Sequence, residues 1–368
     1  MMRVILWLLF RVACIAALTL PPMPPDMPVK VINLDLSPRM RWQGVIKELV
    51  TTYGFEYTYG PAIEYITSNF GKEVLDLLDE VSRDLEGVLI PEYVEELRGC
   101  ADAARELGYG TLLPLETIIT INLLYEFSNF CTSIVTEDGQ GQIWHSRNMD
   151  WSFGKESLKN ISIIADFQKG GVTQYKTITW AGYVGAISGM RPDGFSITID
   201  ERFTSDILAI IQSFERLLHH KGVSVGFLSR DVLDNNRTYE AAVKTLAYTP
   251  LTTSVYYIVG GTEHNEGCVI TRKEEHVEVW EMPNGPQPWF IIETNYDHRY
   301  TPPYPDDRRK LAIEAIEAVG RANINATTLF HVMETPGRDG IRGVLNGETQ
   351  YTVVMSAVQG YFRGYYWK

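Results

Sequence analysis

The sequence is short of cysteine, of positive charge and, past its opening residues, of long apolar runs. Four cysteines in 368 residues cannot build the disulfide framework that holds small secreted domains together. Lys and Arg number 33 against 46 Asp and Glu, a formal net charge of −13, which argues against a nucleic-acid partner. Beyond the opening stretch no apolar run approaches the length that spans a bilayer. There is no internal repeat, low-complexity block or Gly/Ser linker. Metal-ligand spacing, a phosphate-binding glycine loop and a dinucleotide fingerprint are missing too, so no cofactor and no metal are expected. What remains is a globular chain with 45% hydrophobic residues, enough to bury a sizeable core as one large domain or two modest ones.

Residues 1–21 hold what the rest lacks. A basic Arg3, an apolar run broken only by Arg11, small Ala16 and Ala17, and then proline read as a secretory signal peptide. A single-pass anchor is the other reading, and it would leave Arg11 in mid-bilayer. Asn160, Asn236 and Asn325 each open an Asn-X-Ser/Thr sequon, which fits a secretory route and glycosylation. Loss of the signal removes Cys14 and leaves Cys100, Cys131 and Cys268. An odd count in a secreted chain asks which thiol stays free, although a small buried hydrophobe is the ordinary fate of each.

The prolines of residues 21–28 (PPMPPDMP) make a stiff lead-in that can neither begin a helix nor join a sheet interior. In residues 72–89, Val74, Leu77, Leu78, Val81, Leu85 and Val88 recur at steps of three and four, one face of an amphipathic helix. Two more helices open at Pro91 and Pro114, where an N1 proline would sit, so residues 40–126 read as mainly helical. At Cys131 the period changes. CTSIVTE is β-branched, EDGQGQ is a polar turn and IWHSRNMDW returns antiparallel. Strands then alternate in groups with helices, ending on a helix at DDRRKLAIEAIEAVG. Such runs predict an α+β layered domain with antiparallel sheets, and not a regular βαβ alternation.

Residues 129–151, NFCTSIVTEDGQGQIWHSRNMDW, pose the functional question. Cys131 is either a structural thiol or a nucleophile, and a nucleophile needs a base, a group to orient the base and donors for an oxyanion. His145 sits on the facing strand beside Trp144, where a packed strand residue is the plainer reading. An α-amino group would serve instead, if the chain were cut between Phe130 and Cys131. Its reference pKa of about 7.7–8.0 lets it act as a base without deep burial. Arg147 and Asp150 are three apart, so a regular strand points them to opposite faces, and a bulge or strand end is needed to bring both to one thiol. Taken singly they read as surface charges. Glu201 is a strand-end residue, Asn295 a turn residue and Arg308 part of a solvated cluster capping a helix.

Taken together, the pieces resemble the acid ceramidase and N-acylethanolamine acid amidase family, N-terminal-nucleophile hydrolases of the cholylglycine-hydrolase superfamily. They are INLDL with Arg41-Trp42, NLLYE, FCTSIV, His145-x-Arg-Asn-x-Asp150, AGYVG, DERF, YYIVGGT, ETNYD, DDRR and YTVVMSA, in the family's order and over nearly the whole mature chain. The resemblance implies a four-layer αββα sandwich preceded by a mainly helical segment. It implies a proenzyme that cuts itself before Cys131, giving an α chain of residues 22–130 and a β chain of residues 131–368 that stay together as a heterodimer. Position by position, Cys131 would attack, Arg147 and Asp150 would orient its amine and thiol, and Asn295 would help form the oxyanion hole. Glu201 and Arg308 would line the same site.

The implied substrates are N-acyl lipids met at a membrane or lipid-vesicle surface, and the implied compartment is the lysosome. Phe130, ETNYDH and YYIVGGT lean toward the N-acylethanolamine amidase. INLDLSP, RNMDW, DERF and GCVITR lean toward the ceramidase, yet the cysteines that bridge the two ceramidase chains have no counterpart here. An N-acylethanolamine amidase is the first reading, a ceramidase or a bile-salt-hydrolase-like amidase the alternative, and a catalytically dead lipid carrier the rival of another class. Cys100 and Cys268 are expected as two buried thiols. Tyr53, Phe55, Tyr57 and Tyr59 would line an acyl channel, touch a membrane or pack as a strand-like segment.

Overall fold

The computed structural model describes residues 23–70, 72–124, 130–151, 158–202, 207–273 and 276–367. The expected signal peptide, the last two residues of NLLYE and the last residue of DERF lie outside them. Among the described residues, thirteen strands and ten α-helices follow in chain order: β1 Val29–Asn33, α1 Gln43–Tyr53, α2 Gly60–Phe70, α3 Lys72–Leu85, α4 Pro91–Glu106, α5 Leu115–Leu124, β2 Phe130–Glu137, β3 Ile143–Asp150, β4 Ser162–Lys169, β5 Val172–Trp180, β6 Ser188–Arg191, β7 Phe195–Glu201, α6 Ile207–Leu218, α7 Val225–Asn235, α8 Tyr239–Tyr248, β8 Val255–Gly260, β9 Gly267–Lys273, β10 His276–Glu281, β11 Phe290–Glu293, α9 Arg308–Val319, α10 Ala326–Met333, β12 Thr349–Ser356 and β13 Tyr361–Tyr366. No described helix is long and apolar enough to cross a membrane.

The strands form two sheets, ordered β1-β4-β5-β6-β7-β8-β9-β10 and β11-β2-β3-β12-β13. The sheets stack face to face, β2 and β3 lying against β7 and β8. Helices α7 and α8 lie on the outer face of the larger sheet, α9 and α10 on that of the smaller, which gives the four-layer αββα sandwich. Every strand pairing is antiparallel except β1 with β4. Ile134, Trp144, Ile292 and Val354 bury against Leu311, Leu329 and Phe330 of α9 and α10. On the other face of the small sheet, Val135 and Ile143 meet Tyr256, Ile258 and Val269 of the large one. The alternation of the strands thus feeds two apolar layers at once.

The sequence reading of the helices holds to within a turn at their ends. It does not include β1, although VKVIN alternates, because five residues behind a proline tract are too few to stand out; β1 is held by a parallel partner 135 residues away, Val29 facing Ile164. Strands β12 and β13 and helix α10 were likewise not singled out as elements. The aromatic run is no strand: Tyr53 ends α1 and residues 55–57 form a 3-10 turn. Phe55 stacks on Tyr109 with ring centroids 4.0 Å apart, and Tyr59 donates to the Ala181 carbonyl at 2.8 Å. Only Tyr53 and Tyr57 of the four are exposed. Cys100 and Cys268 are free and buried.

The helical segment before Cys131 is locked to the large sheet by charge. Glu96 of α4 is fully buried and takes two hydrogen bonds from Arg230 of α7, at 2.6 and 2.7 Å, one from Arg41 at 2.8 Å and one from the Trp42 indole at 2.6 Å. Burial alone pushes the Glu96 carboxyl up, but Arg230, Arg41 and Trp42 outweigh it and hold it below its usual range. Close contact supports the clamp: a Cβ at Gly99 would meet the Arg39 carbonyl oxygen at 2.0 Å. Removing one member of a buried pair strands the other, at roughly 3–5 kcal/mol. Glu96→Gln is therefore expected to lower the denaturant midpoint strongly, whereas Glu106→Gln, in the exposed pair with Lys47, changes it little. Because the folded value is depressed, the Glu96 contribution is present above the unfolded carboxyl pKa and is lost only as pH falls through the folded one. Equal, small shifts for the two variants would show that the clamp is dispensable.

Candidate active site

Cys131 is the second residue of β2 and lies opposite Met149 of β3, two positions from the pair Ser133 and Arg147. Opposed residues of antiparallel strands share a face, so Cys131, Ser133 and Arg147 all look into the layer between the sheets. The Arg147 guanidinium is completely buried, and its two Nη groups reach hydroxyls, backbone carbonyls (Ile187 among them, at 3.4 Å) and the Cys131 sulfur. Nη2 lies 2.8 Å from the Cys131 Sγ and donates to the Ile199 carbonyl at 2.8 Å. Nη1 donates to the Ser188 and Tyr351 hydroxyls, both at 2.8 Å. Nε stands 3.5 Å from Asp200 Oδ1.

Asp150 points the other way, as its spacing from Arg147 requires, and reaches the cysteine round the end of the strand. No bulge interrupts β2 or β3. The register shift falls instead on β12, between Thr349 and Tyr351. There Thr349 donates to Asp150 Oδ1 at 2.6 Å and Asn346 to Oδ2 at 2.8 Å. Arg308, first residue of α9, donates to Asp150 Oδ2 at 2.9 Å and with the same Nη1 to the Cys131 carbonyl at 3.0 Å. Arg308 is fixed in turn by Asp306 at 2.8 Å. Asp150 thus acts on the backbone of Cys131 through Arg308, and Arg147 acts on its sulfur.

Asn295 closes the ring. Its Oδ1 accepts the Cys131 N–H at 2.9 Å and an Arg308 N–H at 2.7 Å, two donors that fix which end of the amide is oxygen. Its Nδ2 donates to the Glu201 carbonyl at 2.8 Å. In this uncut chain Asn295 therefore holds the Cys131 amide, and Glu201 contributes a backbone oxygen to that hold. All six sequence candidates, Cys131, Arg147, Asp150, Glu201, Asn295 and Arg308, converge on one point.

The electrostatics of that point are governed by burial. Cys131 is 0% exposed, and burial pushes its thiol up to about 12 against the opposing pull of Arg147, with Asp200 and Asp150 adding to the rise. Asp150 is raised by burial despite Arg308, Thr349 and Asn346. Asp200 is raised to about 7, by burial first, with Arg147 and the Ser133 hydrogen bond working against it. Asp200 is not among the site residues expected from the sequence, nor are Ser133, Tyr351, Ser188, Asn346, Thr349 and Asp306. Two signals were at hand: Asp200 precedes Glu201 in DERF, and Tyr351 opens YTVVMSA.

His145 is set apart from this ring. Its two ring nitrogens lie 2.9 Å from the Ser196 hydroxyl and 3.0 Å from that of Thr198, and burial with the nearby Arg147 charge drops it to about 3. The imidazole is neutral at any working pH. Loss of a general base costs about 10²–10⁴-fold in rate. His145→Gln is expected to cost far less and to leave the pH profile of chemistry at Cys131 in place, as measured by rate against pH on folded variant. A hundredfold loss, on the order of a lost base, would restore His145 to the reaction.

Residues 131–322 match the model of a family described as linear amide C–N hydrolases, choloylglycine hydrolase family. The chain is 33% identical to acid ceramidase of Heterocephalus glaber over 94% of its own length and 89% of that protein's. It is 36% identical to the N-acylethanolamine-hydrolyzing acid amidase of Oryctolagus cuniculus over 90% and 87%. Among solved structures, the Caenorhabditis elegans N-acylethanolamine-hydrolyzing acid amidase ortholog superposes with a TM-score of 0.57 at 32% identity, covering 65% of this chain and 100% of that one. With a thiol, two guanidinium groups and an amide gathered where the family match begins, this chain belongs to the choloylglycine hydrolase family of linear amide C–N hydrolases.

Proposed function

We propose that this amide hydrolase is made as a proenzyme, cuts its own chain before Cys131 and then hydrolyses N-acyl lipids, N-acylethanolamines ahead of ceramides, in the lysosome. The observation that carries the reading is a coincidence of position. The family match begins at Cys131, the residue whose N–H is held by Asn295 and whose sulfur is held by Arg147. A cut there leaves a β chain of residues 131–368, and the fully covered solved chain spans a matching 65% of this one. The α chain, residues 22–130 once the signal is gone, would stay bound through Glu96, Arg230 and the β1–β4 pairing.

The chemistry follows from the geometry. In the cut, Sγ attacks the Phe130 carbonyl carbon, the C–N bond to Cys131 breaks, and the nitrogen takes up the thiol's proton to become an α-amine. Water then hydrolyses the thioester, releasing the Phe130 carboxylate and the free thiol. Turnover repeats the sequence on a substrate. The amine, at the Asn295 oxygen, takes the thiol's proton, the thiolate attacks the acyl carbon, and the ammonium protonates the departing amine. Water hydrolyses the acyl-enzyme. Complete burial of Cys131 in the uncut chain fits a precursor closed to substrate.

The preference for N-acylethanolamines is supported by the free, buried state of all three described cysteines, which leaves no bridge of the kind ceramidases carry. Asn325 is exposed and caps α10 through its Oδ1, so a glycan on its nitrogen leaves the cap in place. Asn160 and Asn236 are half-buried.

Incubation in mildly acidic buffer is expected to convert the precursor into two chains, the larger starting at Cys131 by N-terminal sequencing. Full activity without a cut, or a start elsewhere, sinks the proposal. Cys131→Ala and Cys131→Ser should lose cleavage and turnover together, since the first has no nucleophile and the second one far weaker than a thiolate. Processed wild type is expected to release ethanolamine from N-palmitoylethanolamine faster than sphingosine from a short-chain ceramide, and the reverse order would assign it to the ceramidase branch.

A further inference from the structure

Asp200 is a buried carboxylate beside Cys131 and Arg147 to which neither cleavage nor turnover has yet given a part. It is 0% exposed on β7. Ser133 donates to its Oδ1 at 2.8 Å, Arg147 Nε is 3.5 Å from the same oxygen, and Oδ2 is buried with no hydrogen-bond partner among the described residues. The Arg147 guanidinium is thus flanked by two acids at once, Sγ on Nη2 and Asp200 on Nε, while its other donors are engaged by hydroxyls and carbonyls. We propose that Asp200 is a positioning residue that shares the single Arg147 charge with Cys131, so that the two acids carry one negative charge between them.

The groups facing Asp200 support this sharing. Cys131 and Ser133 come from β2, Arg147 and Asp150 from β3, and Arg308 from α9. Glu293 of β11 is raised to about 8, burial first and Asp200 among the causes. Two guanidinium groups, Arg147 and Arg308, therefore meet the carboxylates of Asp150, Asp200 and Asp306, and a thiolate adds a fourth negative charge where only two positive ones are fixed. When Asp200 carries a proton, Arg147 is free to stabilise the thiolate. When Asp200 has lost it, forming the thiolate requires returning that proton to Asp200 or placing two anions on one cation. The two groups titrate as a pair.

The consequence is specific. As pH rises through the titration of Asp200, raised to about 7, the reactive form with Sγ ionised and Asp200 protonated keeps a constant ratio to the form with the proton on sulfur. The thiolate population then stops rising with pH. Without Asp200 it continues to rise about tenfold per pH unit until the thiol itself has titrated. This inference rests on the reading of Cys131 as nucleophile. Self-cleavage of the full chain isolates it, since no α-amine exists before the cut and no substrate has to enter.

The test is the rate of self-cleavage at about pH 6 and about pH 8, one unit either side of Asp200, for wild type, Asp200→Asn and Ser133→Ala. The ratio of the two rates is expected to be on the order of tenfold larger in Asp200→Asn than in wild type, because other pH effects on the cut are common to both. Ser133→Ala removes a hydrogen bond that favours ionised Asp200, so its levelling-off should move to higher pH, and it serves as the reporter if Asp200→Asn does not fold. Wild-type-shaped profiles in both variants, with rates merely scaled down, would reduce Asp200 to a structural role. A wild type that neither cuts itself nor hydrolyses an N-acyl lipid would instead remove the reading of Cys131 on which the inference stands.

Discussion

One buried guanidinium holds this site together. Arg147 leaves the small sheet at β3 and spends its donors on Cys131 of β2, on Ser188 and the Ile199 carbonyl from the large sheet, and on Tyr351 of β12. An unpaired guanidinium in such a place would be prohibitively costly. The two sheets can stack there only because each supplies acceptors in the right places. Arg is suited to this where Lys is not, since a planar fork fixes directions that a rotating ammonium leaves open. The position of the sulfur is therefore a property of how the sheets meet.

A second guanidinium does the same for the backbone. Arg308 joins the Cys131 carbonyl, the Asn295 oxygen and the Asp150 carboxylate, drawing on α9, β2, β3 and the turn after β11. Asp307 caps the same helix by accepting from the Lys310 N–H. The N-terminus of α9 is thus pinned from inside by Arg308 and from outside by its cap. Sulfur and peptide nitrogen are held by separate arms, Arg147 for one and Asn295 with Arg308 for the other, so the proposed change of that nitrogen from amide to amine would not release the sulfur.

Much of this was legible in the sequence. The helices before Cys131 announced themselves by spacing, and the hairpin of β2 and β3 by its switch to alternation around a polar turn. What failed to show were features whose meaning lies in a distant partner. β1 is a five-residue strand that exists because β4 offers it an edge. β7, FSITIDE, alternates like a strand with a wet face, and one would send Ser196, Thr198 and Asp200 to solvent. All three are buried, because that face meets β2 and β3, where His145, Ser133 and Arg147 supply partners. Periodicity reports which residues share a face and is silent on what covers it. Arg147 and Asp150 looked incompatible with one thiol for the related reason that their spacing says nothing of Arg308, which bridges from Asp150 to the cysteine.

The same polar layer sets the state of the Cys131 thiol. Burial drives the Cys131 thiol up to about 12 even with Arg147 in contact, so nearness to a cation is insufficient while the surrounding carboxylates claim part of its charge. Reactivity has to come from a change in that balance. Under the proposed self-cleavage, a proton passed from sulfur to Asp200 would supply one, and an α-ammonium created at the cut would supply another by adding a positive charge at the nitrogen that Asn295 already holds. Both act on the charge count of a closed pocket and neither requires a side chain to move. A site built in this way is assembled by folding, which is why its residues are scattered through the sequence, and on the proposed mechanism it would be switched by protons and by one broken peptide bond.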